Sequence, residues 1–155
     1  MPVNKLKEFL DTQRVKYITI NHSPAYTARE IASSVFVPRR EFAKTVIVRM
    51  DGQIAMTVLP ASRHVDLEKL ETASGANKVC LASEQEFETL FPGCETGAMP
   101  PFGNMYGMDT LVDVMLKEDD EITFNAGSHA QVIRLSFDDY ENLVQPTVYN
   151  FSVKE

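Results

Sequence analysis

The chain of 155 residues has no tryptophan, two cysteines, and no apolar run near the roughly 20 residues that a bilayer-spanning helix needs. Its start, Met1 to Leu6, leads into charge instead of an apolar signal core, so the reading is a soluble, cytoplasmic protein with no membrane partner. Cys80 falls in a strand-like apolar run and Cys94 in a loop. Without C-x-x-C spacing they build neither a disulfide framework nor a zinc site, and both are expected to be idle thiols. Also missing are the Gly-x-Ser-x-Gly elbow, the His-Glu-x-x-His helix, the phosphate-binding Gly-x-x-x-x-Gly-Lys loop and the dinucleotide fingerprint. No covalent nucleophile, metal or cofactor is therefore signalled, and His22, His64 and His129 are too scattered to form a ligand set by spacing.

Basic residues are nearly absent from the second half. Residues 1–78 carry 12 basic and 8 acidic side chains and residues 79–155 carry 3 and 14, for a net charge of −7. An acidic total argues against a phosphate-rich partner. Yet Arg39, Arg40, Lys44, Arg49 and Arg63 share one central stretch that a fold could gather into a patch for a single-stranded RNA end. Arg39 and Arg40 are the candidate RNA contacts.

The length and a 44% hydrophobic content suit one domain over residues 1–155 with a real core. Val3, Leu6, Phe9 and Leu10 repeat at helical spacing, and Tyr17 to Ile20 reads as a short strand. Thr27 to Glu30 is a capping box for a helix through Ile31 and Val35 that ends before Pro38. Lys44 to Met50 and Gln53 to Leu59 flank Asp51-Gly52, a pair that favours a two-residue hairpin turn. Asp66 can cap a short helix around Leu67 and Leu70, and Lys78 to Leu81 is strand-like. Ser83 to Glu86 forms a second capping box, predicting a helix that buries Phe87, Leu90 and Phe91 and stops at Pro92-Gly93. Thr110 to Leu116 and Glu121 to Phe124 read as a strand pair around an acidic turn. Gln131 to Leu135 is a strand, Ser136 caps a last helix burying Phe137, Tyr140 and Val144, and Thr147 to Phe151 is an edge strand. Hairpins separated by single helices predict an α+β domain with a mixed, mostly antiparallel sheet.

Three stretches remain: the lysine in Ala43-Lys44-Thr45-Val46, the loop Gly97-Ala98-Met99-Pro100-Pro101-Phe102-Gly103, and Asn125-Ala126-Gly127-Ser128-His129. Singly each is bland. A lysine opening a strand is ordinarily a solvated end, a Gly/Pro-rich segment ordinarily a loop, and one histidine ordinarily a satisfied polar residue. In this order, with His22-Ser23-Pro24 and Tyr26-Thr27 before them and Ser136 to Tyr140 after, they resemble the YbaK/ProX family of prolyl-tRNA synthetase-associated editing domains. Members of that family hydrolyse amino acids wrongly attached to tRNA. The resemblance spans nearly the whole chain. It implies a single compact domain with a curved sheet flanked by helices, a mischarged tRNA acceptor end as substrate, and prolyl-tRNA synthetase as a candidate partner. Oligomeric state stays open.

An aminoacyl ester is already activated, so its hydrolysis needs a positioned water and a stabilised oxyanion more than a protein nucleophile. Gly97 lets the backbone approach a substrate closely, and Pro100 and Pro101 stiffen the loop so that its amides are preorganised. The loop matches the family's Gly-x-x-x-Pro motif at Gly97 and Pro101. The resemblance also makes Lys44 the active-site lysine, suited to holding phosphate or ribose oxygens as a compact charge. His129 follows the flexible Gly127-Ser128 pair and can orient the water or bind the adenosine or amino acid; a general-base role is left open. The candidate catalytic set is Lys44, Gly97 and His129, and the candidate substrate-contacting set is His22, Tyr26, Thr27, Ile31, Ala98, Pro101, Gly127 and Ser128. The motif stretches look closer to the branch that clears alanine from proline tRNA than to the cysteine-clearing branch. Cysteine, serine and threonine stay open, because one methylene is worth only about 1–3 kcal/mol of discrimination. Two other classes are a non-catalytic module that senses an amino acid or tRNA end, and a small-ester hydrolase, which calls for a serine nucleophile with base and acid that no order here supplies.

Overall fold

The computed structural model describes residues 2–21, 41–95, 97–128 and 130–154. The expected helix over Ile31 and Val35 lies outside them, as do His22, Tyr26, Thr27, Arg39, Arg40 and His129.

The Asp51-Gly52 turn organises the sheet. Both residues take positive φ, 50° and 87°, the backbone a tight hairpin needs. They fold β2 (Phe42–Met50) onto β3 (Gln53–Pro60) in register from Ala43 with Pro60 to Met50 with Gln53. The eight-stranded sheet runs β1-β8-β7-β2-β3-β6-β9, with β5 (Val79–Leu81) also on β2. Here β1 is Tyr17–Asn21, β6 Thr110–Asp113, β7 Glu121–Asn125, β8 Gln131–Ser136 and β9 Thr147–Tyr149. Pairings of β2 with β7, β3 with β6 and β6 with β9 are parallel, and the rest are antiparallel. A small second sheet pairs β4 (Arg63–Val65) with β10 (Ser152–Lys154). The α+β fold with a mixed, mostly antiparallel sheet is as the sequence predicts.

Two cores follow from strand alternation. On one face Ala43, Ile47, Phe124, Ile133 and Leu135 pack with Leu6 and Leu10 of α1 (Pro2–Thr12) and with Phe137, Tyr140 and Val144 of α5 (Phe137–Val144). On the other, Val48, Ala55, Leu59 and Leu111 pack with Leu70 of α2 (Leu67–Ser74) and with Phe151. The caps are those expected: Asp66 accepts from the Lys69 amide and Ser136 from the Asp139 amide.

Two expectations fail, each for a local reason. Ser83 and Glu86 do form the capping box, but α3 (Glu84–Phe87) is only one turn and passes into a 3-10 turn over Glu88–Leu90. Phe91, pressed by the following proline, sits at φ −123°, ψ 67°, outside helical space. Phe91 is buried as predicted, but Leu90 is exposed. The second failure is the strand pair around the acidic turn. The Asp113 carboxylate accepts from the Met115 amide and starts α4 (Val114–Lys117), so β6 stops early and joins β3 and β9 instead of β7.

Asp113 is wholly buried. Its carboxylate also accepts from the Phe151 and Ser152 amides at 3.1 and 3.0 Å and from the Ser152 hydroxyl at 2.8 Å. Arg63 donates to the same hydroxyl and to the Ser152 carbonyl, clamping β10 onto β4. Removing the carboxylate strands several buried donors. Asp113→Ala is therefore expected to cost about 3 kcal/mol in urea unfolding; a loss within about 0.5 kcal/mol, the range of ordinary surface changes, would show the network to be dispensable.

Candidate functional site

One long edge of β2 is fully paired with β3, but its other edge is shared. β7 takes Phe42 and Ala43 in parallel, and β5 takes Val48 to Met50 from the opposite direction. On that edge Lys44 to Ile47 pair with no strand among the described residues, which leaves a gap between β7 and β5. Strands that part in this way leave a crevice at their ends, the usual place for a ligand in a mixed α/β sheet.

The three stretches meet at this gap. The Thr45 hydroxyl donates to the Met99 carbonyl at 3.1 Å, tying β2 to the 97–103 loop. The Gly127 amide donates to the Ala98 carbonyl at 2.9 Å, and the Glu95 amide to the Gly127 carbonyl at 2.9 Å, tying that loop to the turn after β7. Gly97 and Gly127 have φ of 85° and 100°, a region costly for any side chain. Gly97 is exposed, Ala98 through Gly103 are buried, and Lys44 and Ser128 are half-buried. Lys44, Gly97, Ala98, Pro101, Gly127 and Ser128 thus belong to one region, with His129 next in the chain after Ser128.

The loop is held from below. Phe102 makes edge contacts with Phe9, Phe124 and Tyr140, at centroid separations of 6.3, 5.4 and 5.4 Å. The buried Tyr140 hydroxyl donates to the Pro101 carbonyl at 2.6 Å, and burial pushes that phenol far above its ordinary pKa, so it remains a donor. Gly103 is needed for space: a Cβ there would lie 2.3 Å from the Thr110 hydroxyl oxygen. Of the loop amides, Ala98 donates to Glu95, Phe102 to Pro100 and Gly103 to Thr110. The two prolines have none, and among the described residues the Gly97 and Met99 amides have no partner.

Of the described members of the expected basic patch, Arg49 and Arg63 do not join Lys44. Arg49 lies five residues along β2 from Lys44, about 17 Å at strand rise, and donates to Glu86, which holds that carboxyl below its usual range. Arg63 belongs to the Ser152 clamp. Cys80 and Cys94 are free thiols; burial pushes the Cys94 pKa up, with its sulfur 3.6 Å from the Tyr106 hydroxyl. Among the described residues no helix is long and apolar enough to cross a membrane.

Residues 22–143 match the model of the aminoacyl-tRNA editing domain. The chain belongs to that family, whose domains act on mischarged aminoacyl-tRNA, and it is an aminoacyl-tRNA hydrolase. It is 34% identical over 114 residues to the multifunctional Ser/Thr-tRNA deacylase ProXp-y of Escherichia coli K12, a match covering 70% of this chain and 68% of that one. To the prolyl-tRNA editing protein ProX of Acetoanaerobium sticklandii it is 23% identical over 152 residues, 94% of this chain and 92% of that one. A solved protein put forward as a trans-editing enzyme for prolyl-tRNA synthetase shares the fold, with a TM-score of 0.80 at 19% identity, covering 99% and 97% of the two chains.

Sequence reading singles out the glycine loop but not Thr45 or Tyr140, whose hydrogen bonds fix it. Nothing local marks them, since their partners lie 54 and 39 residues away. Replacing Thr45 by the near-isosteric valine is expected to cost about 1 kcal/mol. It should also speed amide hydrogen exchange at Ala98 and Gly127, whose amides are hydrogen bonded in this region, while leaving the β2–β3 hairpin protected. Unchanged exchange at both would show that the loop is held without Thr45.

Proposed function

We propose that the chain clears small, wrongly attached amino acids from tRNA by direct water attack on the ester. The observation supporting this reading is the convergence of Lys44, the Gly97–Gly103 loop and the Gly127-Ser128 turn at the gap in the sheet. Water adds its oxygen to the ester carbonyl carbon, and the Gly97 and Met99 amides hold the oxyanion that forms. Collapse of that intermediate breaks the bond to ribose, whose oxygen departs with the proton from water. Lys44 holds phosphate or ribose oxygens of the acceptor end, and His129 orients the water. His22, Tyr26, Thr27 and Ile31 complete the pocket. The site belongs in the cytoplasm, where charged tRNA is used, and prolyl-tRNA synthetase is the candidate that delivers it.

Alanine on proline tRNA is the substrate suggested by the motif stretches. Serine or threonine is favoured by the 34% identical relative, which is named for those two. Loss of amino acid from alanyl-, cysteinyl-, seryl- and threonyl-tRNA, each supplied separately, ranks the substrates. Lys44→Ala is expected to lower the rate about 100-fold, the order for one group that stabilises transition-state charge. Gly97→Val should do at least as much, since a β-branched residue resists φ of 85°. Normal turnover in either folded variant removes that residue from the mechanism.

Arg39 and Arg40 are proposed to bind RNA phosphates. Neutralising both should weaken the tRNA reaction, spare hydrolysis of a minimal aminoacyl-adenosine, and flatten the salt dependence by about one unit of slope per contact. Equal loss on both substrates would assign the pair to the fold or the pocket.

A further inference from the structure

Asn125 ends β7 at the mouth of the gap and is only 6% exposed. Among the described residues its side-chain oxygen has no hydrogen-bond partner. Buried polar atoms are nearly always paired, and one left orphaned inside a protein is destabilising. Its position says what could pair it. Ile122, Phe124 and Ala126 point into the core, so Thr123 and Asn125 occupy the opposite face of β7. The parallel register of Phe42 with Thr123 and Ala43 with Phe124 makes Lys44 and Asn125 the next residues along on that same face, just past the last paired positions. Thr123, fully enclosed two residues back, carries a second unpaired hydroxyl oxygen, so this floor is polar where an apolar pocket would be dry.

Resting on the deacylase reading, we propose that Asn125 determines specificity by hydrogen bonding the side-chain hydroxyl of the amino acid, so that seryl and threonyl esters are selected over alanyl. A carboxamide both accepts and donates, which matches a hydroxyl group. The substrate's α-ammonium is the poorer partner, because it would stand beside the Lys44 ammonium and like charges at that range repel. A methyl group in place of the hydroxyl leaves Asn125 orphaned, and a site built to bond a hydroxyl discriminates strongly against the analogue without one.

The test compares seryl- and alanyl-tRNA, prepared on the same tRNA, as substrates for the full chain and for Asn125→Ala, Asn125→Leu and Asn125→Asp. Because the oxygen has no partner among the described residues, the near-isosteric leucine variant is expected to fold, and thermal melting verifies it. The unaltered chain should favour the seryl ester by about ten-fold or more in kcat/KM, the order of one well-placed hydrogen bond. The alanine and leucine variants should lose that preference while their alanyl rate stays within about three-fold, and the aspartate variant, which retains an acceptor, should keep it. A seryl-to-alanyl ratio unchanged within about two-fold, or equal loss on both esters, overturns the proposal and assigns Asn125 to the ribose or to the fold. An unaltered, folded chain that cleaves neither ester overturns the deacylase reading itself, a pattern distinct from the first two.

Discussion

The divided edge of β2 is the constraint from which the site follows. A nine-residue strand paired along both sides would leave no opening, and its lysine would be one more side chain on a closed sheet. Here β7 arrives parallel and β5 antiparallel, and two strands running in opposite directions along one edge cannot continue through each other. The backbone between them must find other partners, since buried amides and carbonyls are rarely left alone. Thr45 reaches the loop carbonyl of Met99, and Ile47 accepts from the Ala82 amide. What fills the gap is a loop, whose geometry is free of the sheet's two-residue repeat and can turn amides outward.

That freedom would be of little use in a mobile segment, because stabilising an oxyanion depends on donors that are already in place. The loop is rigid because it hangs on the core. Phe102 lies among Phe9, Phe124 and Tyr140, one residue beyond the carbonyl that Tyr140 binds. Two consecutive prolines remove backbone freedom from the same turn. The exposed Gly97 is thus separated from a buried aromatic anchor by four residues, two of them prolines, and core packing sets the position of the loop backbone.

How much of this was legible in the sequence depends on the range of each interaction. The Asp51-Gly52 hairpin, the Asp66, Ser83 and Ser136 caps and the buried faces of α1 and α5 are local, and the residues declare them. One failure sits where a local signal competes with a distant one. Asp113 looked like the interior of a strand because its role, joining α4 to residues 151 and 152, is not visible from its neighbours. Of the site, the glycine loop and Lys44 could be found through resemblance to a family, whereas Thr45 and Tyr140 gave no signal at all. Asn125 stood within a recognised stretch, but its meaning lay in a missing partner, which only a folded chain displays.

The placement of the two cores divides the support of the loop from the polar floor. The Asp113 clamp and the Leu70–Phe151 cluster lie on the face covered by α2 and fix the chain's last strand. The cluster around Phe102 lies on the other face and carries the loop. Asn125 and Lys44 point away from that second cluster, so the aromatic core can hold the loop backbone without approaching the polar floor. Such a division lets the floor keep an unpaired carboxamide, a destabilising feature by itself, because the rest of the fold supplies the stability that tolerates it. An orphaned acceptor is then less a packing defect than a vacancy shaped for one kind of donor. In an editing site that vacancy is useful, since hydrophobic contact alone separates amino acids differing by one methylene so weakly.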